Sequence, residues 1–347
     1  MAPMTRRRGL DTLTPSELMI EYYSQRASIP GTLLISEATS VSPRSAAQPN
    51  TPGLYTEEHI QGWKAVTDAV HAKGSYIFAQ LWITGRAAKA GAVKRGAEIV
   101  SCSEIPAGPD SIVPRALREE EIYEFIDSFK QASINAVKAG FDGVELHGAN
   151  GYLIDQFTQD VSNQRTDGWG GSIEKRSRFG VEVAKAVVEA IGADRVGYRI
   201  SPWSTHQGMR MKDPIPQFTH LITELGKLKL AYLHIIEARV KGNADIESSE
   251  SIDAFVEAWD NVTPVIVAGG YTGPSAQQTL DGKYKERDVL VGFGRNFVSN
   301  PDLPFRLQHG LAMTKYNRDL FYEVLQPQGY IDYETSIEFQ QQSVAAA

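Results

Sequence analysis

The segment from His147 to Tyr152 carries three side chains that could act together on one carbonyl group. It reads His147-Gly-Ala-Asn150-Gly-Tyr152. An imidazole and an amide can both donate to one carbonyl oxygen, which would polarise an unsaturated carbonyl compound and stabilise developing enolate charge. A phenol beside them could supply a proton. On spacing alone, a turn that contains a hydrogen-bonded core histidine explains the segment equally well.

Two glycine-containing segments near the carboxyl end have the composition of a phosphate site. They are Gly269-Gly270 and Gly294-Arg295. Glycine lets backbone N–H groups approach an anion closely, and arginine adds charge-assisted hydrogen bonds. Each pair alone is weak support, but both follow predicted strands that come one after the other along the chain.

Regular secondary structure must position these residues. The chain contains repeated short apolar runs that predict a set of β-strands. Such runs are typical of parallel strands buried on both faces. Seven are predicted: Leu33–Glu37, Tyr76–Gln80, Gly143–His147, Val196–Ile200, Tyr232–Ile236, Val265–Ala268 and Val289–Phe293.

Amphipathic helices are predicted between the strands. Glu119–Lys138 has apolar residues at helical spacing and ends before Gly140. Ser172 has the residue type of an N-cap for the helix that follows it. Thr14-Pro15-Ser16-Glu17 has the pattern of a capping box, with proline as the first helical residue.

Strands that alternate with helices predict an α/β fold, a single (β/α)8 TIM barrel in which residues 1–347 form one domain. The only candidate for an eighth strand is Met1–Thr5, which is long enough for about half a strand. We therefore expect an incomplete first strand. Unpaired backbone groups on its neighbours would be costly, so we expect reduced stability or filling of the gap by another segment.

Polar residues end or follow most of these strands, and in such barrels the strand ends meet at the catalytic face. A single polar residue could merely mark a strand end. Together they predict a ring of functional side chains at one mouth: Thr5, Glu37, Gln80, His147, Arg199, Glu237 and Arg295.

The composition narrows the class of protein. The net charge of −7 argues against a nucleic-acid surface. No stretch of about 20 apolar residues or signal peptide is seen, so we expect a cytoplasmic protein with no membrane partner. The one cysteine, Cys102, lacks a nucleophile signature, and the seven histidines lack the spacing of metal ligands, so no metal is predicted. A monomer or a homodimer is expected.

Longer motifs resemble the Old Yellow Enzyme family of FMN-dependent ene-reductases. HGANGYLIDQF at 147–157 carries the resemblance, together with MAPMTR at 1–6, AQLW at 79–82, SPW at 201–203, AGGY at 268–271, GFGRNFVSNPDLPFRL at 292–307 and QGYIDY at 328–333. TGRAA at 84–88 is similar to the fungal secondary-metabolism branch, which includes reductases of ergot-alkaloid aldehydes. The resemblance covers essentially the whole chain.

The resemblance implies that FMN binds across the barrel mouth. The backbone of Pro3 and Met4 would line the isoalloxazine ring, the Thr5 hydroxyl would bind its O4, and Ala38 would add a backbone contact. A hydrogen bond to O4 tunes the electron affinity of a flavin.

The same resemblance assigns the remaining flavin contacts. Gln80 would bind the pyrimidine edge, because an amide both donates and accepts. Arg199 would lie near N1 and O2. The phosphate would be bound by the two glycine-containing loops, Gly269, Gly270, Gly294 and Arg295.

For the substrate, the resemblance implies that His147 and Asn150 bind its carbonyl oxygen and that Tyr152 protonates the α carbon. Hydride would come from NADPH or NADH through flavin N5. Three aromatic side chains would shape the substrate cavity, although the first and last could equally be core aromatics: Trp82, Trp203 and Tyr330.

Three functions therefore stay open at this stage. The leading hypothesis is reduction of an activated C=C bond in an α,β-unsaturated aldehyde or ketone. The second keeps the flavin but isomerises or cyclises a compound of secondary metabolism without net reduction. The third is a flavin-free binding barrel, a pseudoenzyme, which the short first strand would favour.

Overall fold

A computed structural model, which describes residues 1–45, 48–89, 91, 98–242 and 244–345, contains the predicted parallel barrel. All seven predicted strands are confirmed, and each pairs in parallel with its neighbour in the order β1 to β7. They are β1 (Leu33–Ile35), β2 (Tyr76–Trp82), β3 (Gly143–Gly148), β4 (Val196–Ile200), β5 (Tyr232–Ile236), β6 (Val265–Ala268) and β7 (Val289–Gly292). Shorter strands are Thr39–Ser40, Val100–Ser101, Arg115–Ala116, Val240–Lys241 and Ala244–Asp245.

The first residues of the chain close the barrel between β7 and β1. Ala2 N donates to Phe293 O at 2.9 Å, and Ile35 N donates to Met1 O at 3.0 Å. The Met1 nitrogen donates to Leu33 O at 2.6 Å. Residues 1 and 2 therefore bond to both neighbours and close the (β/α)8 barrel, although residues 1–5 do not form a regular strand.

Helices surround the barrel. They are α1 (Glu17–Arg26), α2 (Glu57–His71), α3 (Glu119–Lys138), α4 (Leu153–Thr158), α5 (Ile173–Ile191), α6 (Pro214–Gly226), α7 (Asp253–Trp259), α8 (Gly273–Gln278), α9 (Arg295–Ser299), α10 (Leu303–Gln308) and α11 (Ile337–Ala345). In the part of the chain that is described, none of them is long and apolar enough to span a membrane.

The helix boundaries follow the sequence signals, with one exception. Helix α3 has the predicted bounds, and Gly140, two residues after its end, has the left-handed φ of +86°. The Ser172 hydroxyl accepts from Lys175 N at the start of α5. The predicted capping box at Thr14 is wrong. Helix α1 begins at Glu17, and the Ser16 hydroxyl donates to Arg8 O at 2.5 Å instead of capping the helix.

The barrel interior is layered because every second strand residue points inward. The lowest layer is apolar and contains Ile35, Phe78, Tyr232 and Ile266. Gly197 makes room for it, since a Cβ there would lie 2.2 Å from the Tyr232 ring. One inward step above Phe78 and Tyr232 lie Gln80 and His234. With Glu145 on β3 and Arg199 on β4 they form a polar layer.

Candidate functional site

A cavity of about 1070 Å³ opens above the polar layer, at the carboxyl ends of the strands. Ligand pockets commonly measure roughly 300–1,000 Å³, so it can enclose a sizeable molecule. Twelve of the sequence-predicted site residues line it: Pro3, Met4, Thr5, Gln80, His147, Asn150, Tyr152, Arg199, Gly269, Gly270, Gly294 and Arg295. Of the predicted polar ring, Glu37 and Glu237 do not line this cavity.

The turn after β3 brings His147, Asn150 and Tyr152 to one wall of the cavity. Asn150 and Gly151 both have left-handed backbone conformations, with φ of +59° and +77°. Asparagine and glycine tolerate this region best. The Ser201 hydroxyl accepts from Asn150 N at 2.7 Å, and the Asp155 carboxylate accepts from Gly151 N at 2.9 Å. The turn is therefore held by partners on two other segments.

His147 is a neutral donor or acceptor in this setting. The side chain is buried, and its register partner on β4 is Arg199. Burial and the Arg199 charge hold the pKa of the imidazole well below its usual value. Among the described residues, Nδ1 has no hydrogen-bond partner. A neutral imidazole can offer one N–H to a ligand oxygen.

Tyr152 is half-buried between two other rings. Its ring centroid lies 4.6 Å from that of Trp82 and 4.8 Å from that of His147, both in edge-on geometry. Burial, reinforced by Tyr322, raises the pKa of the phenol above its usual value. At neutral pH the hydroxyl therefore keeps its proton and can serve as a donor.

The polar layer forms the floor of the cavity. Gln80 Nε2 donates to Glu145 Oε1 at 2.7 Å, and His234 Nδ1 lies 2.7 Å from Glu145 Oε2. The Arg199 side chain is 8 % exposed, and within the described part of the chain its Nε has no partner. A buried cation with an unused donor calls for an anionic or carbonyl-rich ligand.

The opposite end of the cavity is built from the loops after β6 and β7. Gly269 and Gly270 have φ of +133° and +67°. A Cβ at Gly269 would lie 3.0 Å from the Glu237 and Val240 side chains. Arg295 Nη1 donates to Asp245 Oδ2 at 2.8 Å. Compact backbone and a guanidinium are the elements of an anion site.

Asp245 also accepts from a second guanidinium, so the rim at this end is cationic. Arg318 Nη2 donates to Asp245 Oδ2 at 2.9 Å. The neighbouring Arg295 and Arg318 hold the pKa of the Asp245 carboxyl below its usual value, against the opposing effect of burial. Two cations and one carboxylate leave a net positive charge.

Four sequence-predicted residues lie outside the cavity wall. Trp82 is 1 % exposed and stands behind Tyr152, so it supports the wall instead of forming it. Trp203 donates from Nε1 to Ser251 O at 2.8 Å and packs against Phe255. Ala38 is buried beyond the wall. Trp82, Trp203 and Ala38 therefore do not line this cavity, and the substrate contacts expected of the two tryptophans and the backbone contact expected of Ala38 stay predictions.

Tyr330 is the fourth, and it lies in a separate cluster of arginine and aromatic side chains. Its ring stacks on Tyr22 with centroids 4.0 Å apart, and the Arg6 and Arg8 guanidinium carbons lie 5.1 Å and 4.8 Å from its centre. Arg6 donates to Phe321 O at 3.1 Å and to Gly329 O at 2.6 Å. This cluster joins the segment after Thr5 to the carboxyl-terminal part of the chain.

Sequence reasoning missed other residues of the site. Glu145 and His234 were not singled out as site residues, although each is a polar residue at an inward position of an apolar strand. That alternation was the signal that could have identified them. Tyr316, Tyr322 and Ile112 also line the cavity but lie in loops, where nothing in the local pattern marks them.

Comparison with known proteins agrees with this geometry. A family model described as the NADH:flavin oxidoreductase / NADH oxidase family matches residues 1–314. Chanoclavine-I aldehyde reductase of Penicillium roqueforti is 54% identical over 349 residues, which cover 100% of this chain and 95% of the relative. A probable inactive reductase of Epichloe festucae var. lolii is 50% identical, with 98% of this chain and 91% of the relative covered. The solved structure of the old yellow enzyme homologue from Zymomonas mobilis superposes with a TM-score of 0.89 at 36% identity, covering 97% of this chain and 95% of that one.

Proposed function

We propose that this chain, which belongs to the NADH:flavin oxidoreductase / NADH oxidase family, reduces the activated C=C bond of an α,β-unsaturated aldehyde or ketone. The protein is an NAD(P)H-dependent flavin oxidoreductase of the Old Yellow Enzyme type, with FMN as cofactor and NADPH or NADH as hydride donor. Its relatives identify the fungal secondary-metabolism branch. We take residues 1–347 to act as one FMN-binding domain.

The residues of the cavity fit FMN. Arg199 and His147 are buried, and each has a polar atom without a partner in the described residues. At the far end, a side chain at Gly269 or Gly294 would crowd Glu237 or Met4 at 3.0 Å and 3.2 Å. A bare backbone there leaves room for a phosphate, and Arg295 supplies the charge. The cavity thus has a cation at each end: Arg199 at the end proposed for the isoalloxazine ring and Arg295 at the end proposed for the phosphate.

The proposed flavin contacts follow from this layout. Pro3, Met4 and Thr5 would contact the ring, and Gln80 and Arg199 would bind its polar edge. When bound, FMN would supply the chemistry of hydride transfer between NAD(P)H and the β carbon of the substrate.

The residues of the His147–Tyr152 turn would carry the substrate half of the reaction. The neutral His147 imidazole and the Asn150 amide would donate to the carbonyl oxygen, which withdraws electrons from the double bond. The Tyr152 phenol, held in its protonated form, would deliver a proton to the α carbon. We take the presence of this proton donor beside the two oxygen-binding groups as the observation that supports net reduction.

The substrate class is suggested by the relatives and by the size of the cavity. The Penicillium roqueforti relative is named for the aldehyde of chanoclavine-I. A cavity of about 1070 Å³ has room for FMN and an organic aldehyde together. We therefore propose an unsaturated aldehyde of secondary metabolism as the physiological substrate.

The test is stoichiometric. Purified protein reconstituted with FMN is mixed anaerobically with NADPH or NADH and then with a panel of enals and enones in deuterated buffer. We expect one NAD(P)H consumed per product and one deuterium at the α carbon. Product formed without NAD(P)H consumption would assign isomerisation or cyclisation instead. A colourless protein, or one that reduces no substrate of the panel, would overturn the proposal.

A further inference from the structure

The polar layer beneath the cavity is unusual for the interior of a barrel. In barrels of this kind branched apolar side chains dominate the interior layers. Here one layer contains Gln80, Glu145, Arg199 and His234, all of them buried. Burying charged groups costs free energy unless they are paired and hydrogen-bonded. Such a layer therefore needs a reason other than stability.

The protonation of this layer follows from its hydrogen bonds. A charged carboxylate only accepts, so the proton between His234 Nδ1 and Glu145 Oε2 is on the imidazole. Burial lowers the pKa of His234, and in the described part of the structure its Nε2 has no partner. His234 is thus neutral, with its proton on Nδ1, and Glu145 carries a buried negative charge.

Glu145 also determines which way the Gln80 amide points. Its Oε1 accepts from Gln80 Nε2 at 2.7 Å. An amide can turn over and exchange its oxygen for its nitrogen, and the hydrogen-bond partners decide between the two orientations. Because Glu145 cannot donate, the Gln80 nitrogen is committed to it. The carbonyl oxygen of Gln80 is left for the cavity, which this residue lines.

The charge of Glu145 acts on Arg199 as well. Glu145 pairs with Gly197 in the sheet register, so Arg199 lies one inward step above it on the neighbouring strand. Burial raises the pKa of Glu145, but the N–H dipole and hydrogen bond of His234, the charge of Arg199 and the hydrogen bond from Gln80 outweigh it and leave the pKa lowered. Burial lowers the pKa of Arg199, and Glu145 opposes that effect. Each of the two charges therefore stabilises the ionised form of the other residue.

We propose that Glu145 is a positioning residue for the flavin: it orients the Gln80 amide toward the ring, and its buried charge lowers the reduction potential of the bound FMN. A fixed negative charge beneath the cavity opposes the uptake of electrons there, and it partly offsets the Arg199 charge. The inference rests on FMN binding at this site.

Two substitutions separate the two parts of the proposal. Glu145→Gln keeps the size and removes the charge. We expect the midpoint potential of bound FMN, measured by dye-coupled anaerobic titration, to rise. We also expect the Kd for FMN to increase about tenfold, because Gln80 can then turn over. Glu145→Asp keeps the charge but shortens the side chain, so the carboxylate no longer reaches the Gln80 amide. It should increase the Kd for FMN while the midpoint potential stays near that of the unaltered protein.

His234→Asn is the matched control, since it keeps a donor near the position of Nδ1 and leaves the charge of the layer unchanged. The claim that the Glu145 charge lowers the midpoint potential is wrong if Glu145→Gln has the same potential as the unaltered protein. It is also wrong if His234→Asn shifts the potential by the same amount as Glu145→Gln. If Glu145→Gln does not fold, the Glu145→Asp variant decides the positioning role, and an unchanged Kd for FMN overturns it. If the unaltered protein itself binds no FMN, the proposed function fails before any variant is made.

Discussion

The ring of Tyr152 meets the indole of Trp82 edge-on, with centroids 4.6 Å apart and planes at 81°. Trp82 ends β2, and Tyr152 precedes α4, so the contact joins two neighbouring strand ends. Edge-to-face aromatic pairs contribute roughly 0.5–1.5 kcal/mol beyond the area that they bury. The phenol is therefore held by packing, and its hydroxyl lies at the cavity wall, where it forms a hydrogen bond with the Gln207 side chain.

Replacing Tyr152 by phenylalanine should separate the two halves of the reaction. The packing against Trp82 is kept, but the proton donor is lost, so we expect substrate reduction to slow by roughly 10²–10⁴-fold. Reduction of the flavin by NADPH should keep its rate. Stopped-flow absorbance at the flavin band measures both steps. Tyr123→Phe, on the exposed face of α3, is the control; equal loss in the two variants would refute the role of Tyr152.

Arg295 should distinguish FMN from riboflavin. The two ligands differ only in the phosphate, and hydrogen bonds to a charged group contribute about 1.5–3 kcal/mol. In Arg295→Gln we expect the Kd for FMN to rise roughly 10- to 100-fold and the Kd for riboflavin to stay unchanged. Fluorescence quenching of the free flavin measures both. Arg287→Gln removes the same charge from a residue outside the cavity wall and should change neither constant.

Tyr330 should matter for stability and not for the substrate. Its ring is buried between Tyr22, Arg6 and Arg8, so Tyr330→Ala should destabilise the fold by about 3–5 kcal/mol. Tyr330→Phe should be close to neutral, because its hydroxyl has no partner among the residues described. Urea denaturation measures stability, and KM for the best enal measures the site. If Tyr330→Phe changes KM while its stability stays normal, the Tyr330 hydroxyl contacts the substrate and this prediction is wrong.

Glu37 should make stability fall as pH rises. The carboxylate is buried and accepts from Arg6 N at 3.2 Å and from Arg7 N at 3.4 Å. Burial raises its pKa to about 7, despite those bonds and the nearby Arg6. The folded state thus prefers the protonated form, and its contribution is complete below the unfolded pKa of about 4.3 and is lost as pH rises through 7.

The matching variant is Glu37→Gln, which keeps an acceptor for both amides and cannot ionise. Relative to it, the unaltered protein should lose on the order of 3 kcal/mol between pH 4 and pH 8. Thermal denaturation across that range measures the difference. Glu286→Gln, at an exposed position, should show no such divergence; a constant difference between Glu37→Gln and the unaltered protein at all pH values would contradict the assignment.

Much of this architecture could be predicted because strands buried on both faces leave a strong signal. The seven apolar runs located the strands, and the residues at their ends located Gln80, His147 and Arg199 in the cavity wall. The rule works because parallel strands place all their carboxyl ends at one face. It says less about a side chain that turns away from the mouth, as Glu37 and Glu237 do.

The aromatic residues were harder to predict, since burial against other rings has no local pattern. Trp203 and Tyr330 lie in loops that could face either a ligand or the core. Their true partners, Phe255 and Tyr22, are distant in sequence. Conversely, Tyr322 reaches the cavity from a long carboxyl-terminal segment. Contacts of this kind depend on the whole tertiary fold and cannot be derived from spacing.

The hydrogen bonds that Arg6 makes to Phe321 and Gly329 have a consequence for the order of events during synthesis. The paired residues are 315 and 323 positions apart in the chain. A ribosome that adds about 5–20 residues per second presents Arg6 early and its acceptors only near the end. Throughout that interval the adjacent segment Pro3–Thr5 is held only by contacts with early residues, such as the bond from Arg6 N to Glu37. We expect the nascent chain to acquire its cofactor only after these two regions have met, and such long-range pairing is a slow step in folding.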